Sequence, residues 1–427
     1  MTRLLRFACL AAVFLSPFAA PAAEEPAASN AAAPASASAS ASASPPAPSV
    51  AGKDFIAEAK LLYRAVACEG SEALPAHLDA KVVAEHCKAM APKKKKYKEQ
   101  WIGQARDFIA KLRPAGLPTT VVYPFGGGDL ISALTTYPDA TDITTLSLEY
   151  AGDPTRLDDI KPARLKESLG LFDKTIWGLL MADNSTTENL QKGQGSDIPG
   201  EIGFFLVALA EHGFEPVSLR FFTLEKDGSL HYLTGEEIAA LEKTKAKTLR
   251  GKWESPDLSV AFSNSEIVFK AAGAGPAAPV RVHRHLAANL HNEGFAKSPE
   301  LLEYLKKKGR VVAMTKAASY LLWRDDFSTI RDYLLEHMEL MISDSTGIPP
   351  TFLKKAGFEL ETYGNFGESF LPANKELNKA FRAEWKSQPK RKLPFRYGYI
   401  DGAGGGAHLF VARKAAKPAE PAAPSNP

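Results

Sequence analysis

Apolar residues recur at helical spacing in the first folded stretch. Phe55, Ile56, Ala59, Leu62 and Val66 form one stripe, Val82, Val83 and Cys87 a second, and Trp101, Ala105, Phe108 and Leu112 a third. After Pro118 the period shortens. Thr119–Pro124 is β-rich and enters Phe125-Gly126-Gly127-Gly128-Asp129, Leu130, Ile131 and Leu134 then resume helical spacing, and ITTLSLEY gives a second strand that ends near Glu149. Strand, helix and strand between Val121 and Tyr150 predict a right-handed crossover and a parallel sheet. The expected class is therefore α/β, a Rossmann-like mixed sheet with helices on both faces, preceded by a helical N-terminal segment.

The pattern continues through the body. EIGFFLVALAEHG predicts a helix apolar all round and hence buried, with Pro199 before it and Gly213 after it. The long polar connection leading into it, 183–200, has the character of a binding loop or lid. Two hairpins are predicted, one turning at Asp227-Gly228 and one at Asn264-Ser265. His283 and His285 fall on one face of the next strand, with His291 just beyond. An H-x-H pair can begin a metal site, but the sequence identifies no third ligand, so packed, hydrogen-bonded histidines are expected. Phe327, Ile330, Tyr333, Leu334 and Met338 keep helical spacing with Asp325 or Asp326 near the start, and ELMISD adds a strand. The closing stretch, 393–414, reads as a hairpin around a glycine-rich loop at a sheet edge. There is no internal repeat and no heptad run.

Composition changes the picture mainly at the ends. Arg3 and Arg6, an apolar run Phe7–Leu15 and small residues at Ala20 and Ala22 have the layout of a cleavable secretory signal over 1–22. The run is shorter than the ~20 residues a membrane span needs. Cys9 lies within that core behind Arg6, where a lipobox takes an aliphatic residue, so plain cleavage is expected rather than lipidation. Ala, Ser, Pro and Glu dominate 23–50, which predicts a disordered linker, and 415–427 has the same character. A helical segment at 51–116 and an α/β body at 117–414 lie between, with a sub-boundary conceivable near 250–280. The protein is expected in the periplasm or outside the cell, with no transmembrane span in the mature chain.

A net charge of +3 with 24% charged residues argues against nucleic-acid partners, which demand a strongly basic face. Lys93–Lys96 is the local exception. It reads as a solvated helix entrance, or as a contact for an anionic envelope polymer or lipid surface. Removing the signal leaves two cysteines, Cys68 and Cys87, one near the end of each predicted helix of a hairpin. In an exported chain they are expected to form a disulfide; a metal pair with His86 or a redox dithiol lacks the necessary spacing.

The candidate chemistry centres on Gly126, Gly127, Gly128, Asp129 and Glu149. A glycine turn between a strand and a helix is where nucleotide folds cradle phosphate. GGGD matches neither phosphate-binding fingerprint, however, and Asp129 at the N-cap would repel phosphate. Common nucleotides are also scarce outside the cytoplasm, so no cofactor is expected. The glycines are left as a structural turn, as the lining of a pocket for a neutral or hydroxyl-rich ligand, or as a nucleotide cradle. Glu149 stands where open parallel sheets bind ligands.

With YPFGGGD, TTLSLE, KAASYLL, FSTIRDYLLEH, DSTGIP and the closing hairpin in view, the chain resembles a group of exported bacterial proteins of unassigned function. The likeness spans most of Asp54–Arg413. It implies one coherent fold and carries no activity. Three functions remain open: binding of a small molecule, glycan or envelope component; an extracytoplasmic hydrolase using carboxylates such as Asp129 or Glu149; or an inactive Rossmann-like structural component.

Overall fold

A computed structural model describes residues 52–183, 196–243, 259–367, 375–398 and 407–415. The expected signal peptide and linker, most of the connection before Glu201, and the tail beyond 415 lie outside the described residues. Ten strands form one mixed sheet: β1 (Thr120–Pro124), β2 (Asp142–Ser147), β3 (Phe214–Leu224), β4 (Leu230–Tyr232), β5 (Ser265–Ala271), β6 (Arg281–Ala287), β7 (Val311–Thr315), β8 (Met338–Ser343), β9 (Phe358–Gly364) and β10 (His408–Lys414). Their order is β4-β3-β5-β6-β2-β1-β7-β8-β10-β9.

The five central strands, β6-β2-β1-β7-β8, are parallel throughout. Numbered by their appearance in the chain, they run 3-2-1-4-5, the doubly wound order in which the sheet grows outward from β1 in both directions. The sequence encodes this burial directly. Val121, Tyr123, Val312 and Met314 point into one core, and Val122, Val311 and Ala313 into the other. Each strand thus reads as an unbroken apolar run, as strands covered on both faces must. The first core takes in the N-terminal helices and Gly200–Glu211; the second takes in Glu300–Lys306, Ser328–His337 and Lys375–Ser387. Antiparallel strands flank the parallel centre on both sides.

The N-terminal helices Ile56–Ala65 and Ala80–Tyr97 are joined by the Cys68–Cys87 disulfide, as expected. Cys68 sits at φ 64, a left-handed conformation uncommon outside glycine. With a sequence separation of 19, the crosslink restricts the unfolded chain by about 3 kcal/mol in the chain-entropy picture. Replacing both cysteines by serine is expected to lower unfolding free energy by that amount in urea titrations, and dithiothreitol should reproduce the loss in the parental chain.

Several sequence expectations are corrected. The helix Ala80–Tyr97 runs through Pro92 and passes by a π turn, Lys98–Ile102, into Gly103–Ala110, so the lysine run lies inside a helix, not at its entrance. Lys93 pairs with Asp173, Lys94 with Glu69 at 3.1 Å and Glu211 at 3.2 Å, and Lys95 approaches Glu99 at 3.9 Å. The hairpin at Asp227-Gly228 is present. The one at Asn264-Ser265 is not: Val260–Phe262 is a 3-10 turn, and Asn264 bridges neighbouring strands, its amide donating to Phe222 O and its Oδ1 accepting from Ala287 N–H. Nor does the closing stretch form an edge hairpin. β10 lies between β8 and β9, and among the described residues an isolated bridge joins Tyr397 to Ala407, the glycine-rich loop at 399–406 lying outside them. Among the described residues no helix is long and apolar enough to cross a membrane.

Candidate functional site

In the doubly wound order, the connections after β1 and β7 leave the sheet in opposite directions and open a crevice at its carboxyl edge. The glycine turn follows β1 and Lys316 follows β7. Phe125 at φ 59 and Gly127 at φ 48 reverse the chain sharply. The turn is closed by Gly126 N–H to Tyr123 O and Leu146 O, at 3.3 and 3.1 Å, and by Asp129 N–H to Gly126 O at 3.0 Å. A Cβ on Gly126 would sit 2.7 Å from the Tyr123 ring. One on Gly128 would collide with the Phe204 ring and the Glu201 carboxyl, so this glycine is needed for close approach of the helix Gly200–Glu211.

Asp129 occupies the N-cap position of Leu130–Thr136, but its side chain makes no cap hydrogen bond, contrary to expectation. Stronger partners claim it. Tyr123 donates its hydroxyl to Oδ2 at 3.0 Å, and the Lys316 ammonium lies 3.5 Å from the same oxygen and 3.4 Å from Ser132 Oγ. Trp101 and Tyr397 present their rings to that ammonium at 5.6 and 5.7 Å. Burial, and then Asp129, push the Tyr123 phenol well above its ordinary range, which keeps it a donor.

Glu201, in the first turn of its helix, is fully buried, and neither carboxyl oxygen has a hydrogen-bond partner among the described residues. Burial raises it well above the usual carboxylate range, and the fields of Glu149 and Asp129 add to the effect. Glu149 stands just past β2, half-buried, and its carbonyl accepts from His285 Nε2 at 2.8 Å. The fold therefore gathers the predicted Gly126, Gly127, Gly128, Asp129 and Glu149 around one point, together with Glu201 and Lys316, which sequence reasoning did not select.

A second polar group, from the ends of β7 and β8 and from β10, borders this point, the field of Asp344 reaching Tyr123 and Tyr397. Thr315 donates to Ser343 at 2.8 Å, and Asp344 accepts from Thr346 N–H at 2.9 Å and from the Thr346 hydroxyl. Ser345 Oγ lies 3.1 Å from His408 Nδ1, and the same nitrogen accepts the Ser345 backbone N–H. Gly367 and Gly398 leave room for the His408 ring, which a Cβ at either would strike. The run of short polar residues in DSTG directly after an apolar strand was the available signal for this group.

His283 and His285 are packed, not exposed. Both contact Thr145 Oγ1, at 3.0 and 3.1 Å, and Phe205 meets the His283 ring edge-on. Since His285 Nε2 donates to Glu149 O, its Nδ1 accepts from Thr145, and Thr145 in turn accepts from His283 Nε2. Burial holds both rings neutral, with His285 pushed down to about 4. Among the described residues no three His, Cys, Asp or Glu side chains come together as a metal site. Compared with known proteins, the chain matches no protein-family model and no curated sequence.

Proposed function

We propose that this is an exported ligand-binding protein whose site is the carboxyl edge of the parallel sheet, at the glycine turn. One observation carries the reading: Asp129, Glu201, Lys316 and Asp344, contributed by four separate segments, are all buried at that edge. Burying such groups costs the fold several kcal/mol unless each is well paired, and Glu201, with two unpartnered oxygens, and the 3.5 Å contact of Lys316 with Asp129 point to a role beyond stability. The space over Gly128 is taken by Glu201 and Phe204, and a carboxyl there opposes phosphate, which supports a ligand other than a nucleotide. The signal-like N-terminus and the disulfide support export.

A carboxyl held against ionisation at Glu201, beside one facing an ammonium at Asp129, also favours a second reading, an extracytoplasmic hydrolase with divided acid and base roles. Native mass spectrometry of the protein purified from the cells that make it tests the first reading. A co-purifying mass that disappears in Asp129→Asn supports it; a bare chain, together with turnover of simple esters or glycosides that Glu201→Gln abolishes, supports the second.

A further inference from the structure

We propose that the Glu201 carboxyl, over Gly128, is the recognition point for a protonated amine on the ligand; this rests on the reading of the carboxyl edge as a binding site. Glu201 is a fully buried acid with two unpartnered oxygens, and it is fixed in place. It belongs to the first turn of a twelve-residue helix whose other side chains are nearly all buried, and its carboxyl lies against the bare backbone of Gly128. A buried carboxyl with no donor is a costly arrangement unless a donor arrives from outside.

The surroundings define what that donor is. The charged groups facing Glu201 are Glu149, from the end of β2, and Asp129, from the glycine turn, both of which add negative potential. Lys316, the cation described at this edge, is directed to Asp129 and Ser132. A ligand cation placed at Glu201 would therefore gain from Glu149 and Asp129 and would favour the ionised form of Glu201, whereas a ligand anion would be opposed by both neighbours. Its hydrogen-bond donors would satisfy the two idle oxygens, which a bare apolar group could not do. The Phe204 ring and the Gly128 backbone crowd the carboxyl closely, so a compact ammonium fits better than a planar guanidinium. Described residues offer no three-ligand metal set here, so the cation is one that brings its own hydrogens.

The experiment uses the mature chain and its Glu201→Gln variant, which preserves volume and removes the ionisable group. D-glucosamine and putrescine serve as amine probes and D-glucose as the neutral counterpart, with affinity read by calorimetry. The expected result is that the amines bind the parental chain at least tenfold more tightly than glucose does, and that Glu201→Gln erases this preference. Equal affinity for glucosamine and glucose, equal amine binding by parental and variant chains, or no amine binding at all would each overturn the inference. A native ligand that is lost in Asp129→Asn but indifferent to Glu201→Gln would leave the binding site standing and discard only its preference for an amine. Circular dichroism of the variant separates these results from misfolding.

Discussion

Asp129→Ala is expected to lower unfolding free energy by about 3–5 kcal/mol, the range found when one partner of a buried ion pair is removed. Lys316 is nine-tenths buried, and without Asp129 its ammonium would keep, among the described residues, Ser132 at 3.4 Å and the faces of Trp101 and Tyr397. Had Asp129 served as a helix cap, the loss would be nearer 1 kcal/mol. The size of the effect therefore distinguishes the two roles. Lys316→Met alone should also destabilise, leaving Asp129 among the described residues with the Tyr123 hydroxyl.

The double variant Asp129→Leu/Lys316→Met should recover most of the loss, because replacing both partners removes both desolvation costs. Urea midpoints of the four chains measure the coupling. Single losses that simply add in the double variant would show that the two side chains do not act as a pair. If the double variant is as stable as the parental chain yet loses its ligand, the pair is kept for recognition. At 3.5 Å the contact is looser than an optimised buried pair, which typically closes to 2.7–2.9 Å, and that slack is what a site awaiting a third group would show.

The sequence made this arrangement only half visible. Strand β1, the glycine turn and β2 follow one another along the chain, so local patterning locates Gly126 to Asp129 and places Glu149 at the strand end. The partner that decides the role of Asp129 lies 187 residues away, and nothing in the local pattern of KAASYLL distinguishes an ammonium that turns inward from an ordinary surface lysine. Glu201 is hidden for a related reason. An acid in the first turn of a helix is a normal preference with respect to the helix dipole, and only packing against Gly128 reveals it as buried and unpartnered. β10 was mislocated by the same limitation, since its alternation predicts a strand but not that β8 and β9 would enclose it. Turn chemistry was reliable where Gly228 required a positive φ of 77, and misleading at Asn264, whose side chain serves two strands instead of turning the chain.

Acidification from pH 7 to pH 4 is expected to cost the fold on the order of 3–6 kcal/mol, much of the 5–15 kcal/mol that domains usually have. His285 is fully buried and pushed down to about 4 from the ordinary 6.5. As pH falls through 6.5 the unfolded chain takes up a proton that the folded chain refuses, so stability drops until the folded ring also protonates near 4; integrated, this is roughly 3 kcal/mol. His212, pushed to about 4 but partly exposed, adds a smaller loss over the same window, and His86 and His283 act in the same direction. Glu201 opposes them. Its raised value means that its cost is present at neutral pH and is relieved as pH falls toward the ordinary carboxylate range.

Two curves test this balance. In the parental chain the urea midpoint should fall steadily below pH 6.5 with an unchanged slope, whereas a midpoint flat to pH 4 would mean that the buried imidazoles are not held neutral. In Glu201→Gln the neutral-pH midpoint should rise, because glutamine keeps the polar atoms but not the ionisation-linked cost of a buried acid. That gain should shrink on acidification, making the variant's acid loss steeper than the parental one. A gain that persists unchanged at pH 4 would assign the effect to packing around Phe204 rather than to the buried acid.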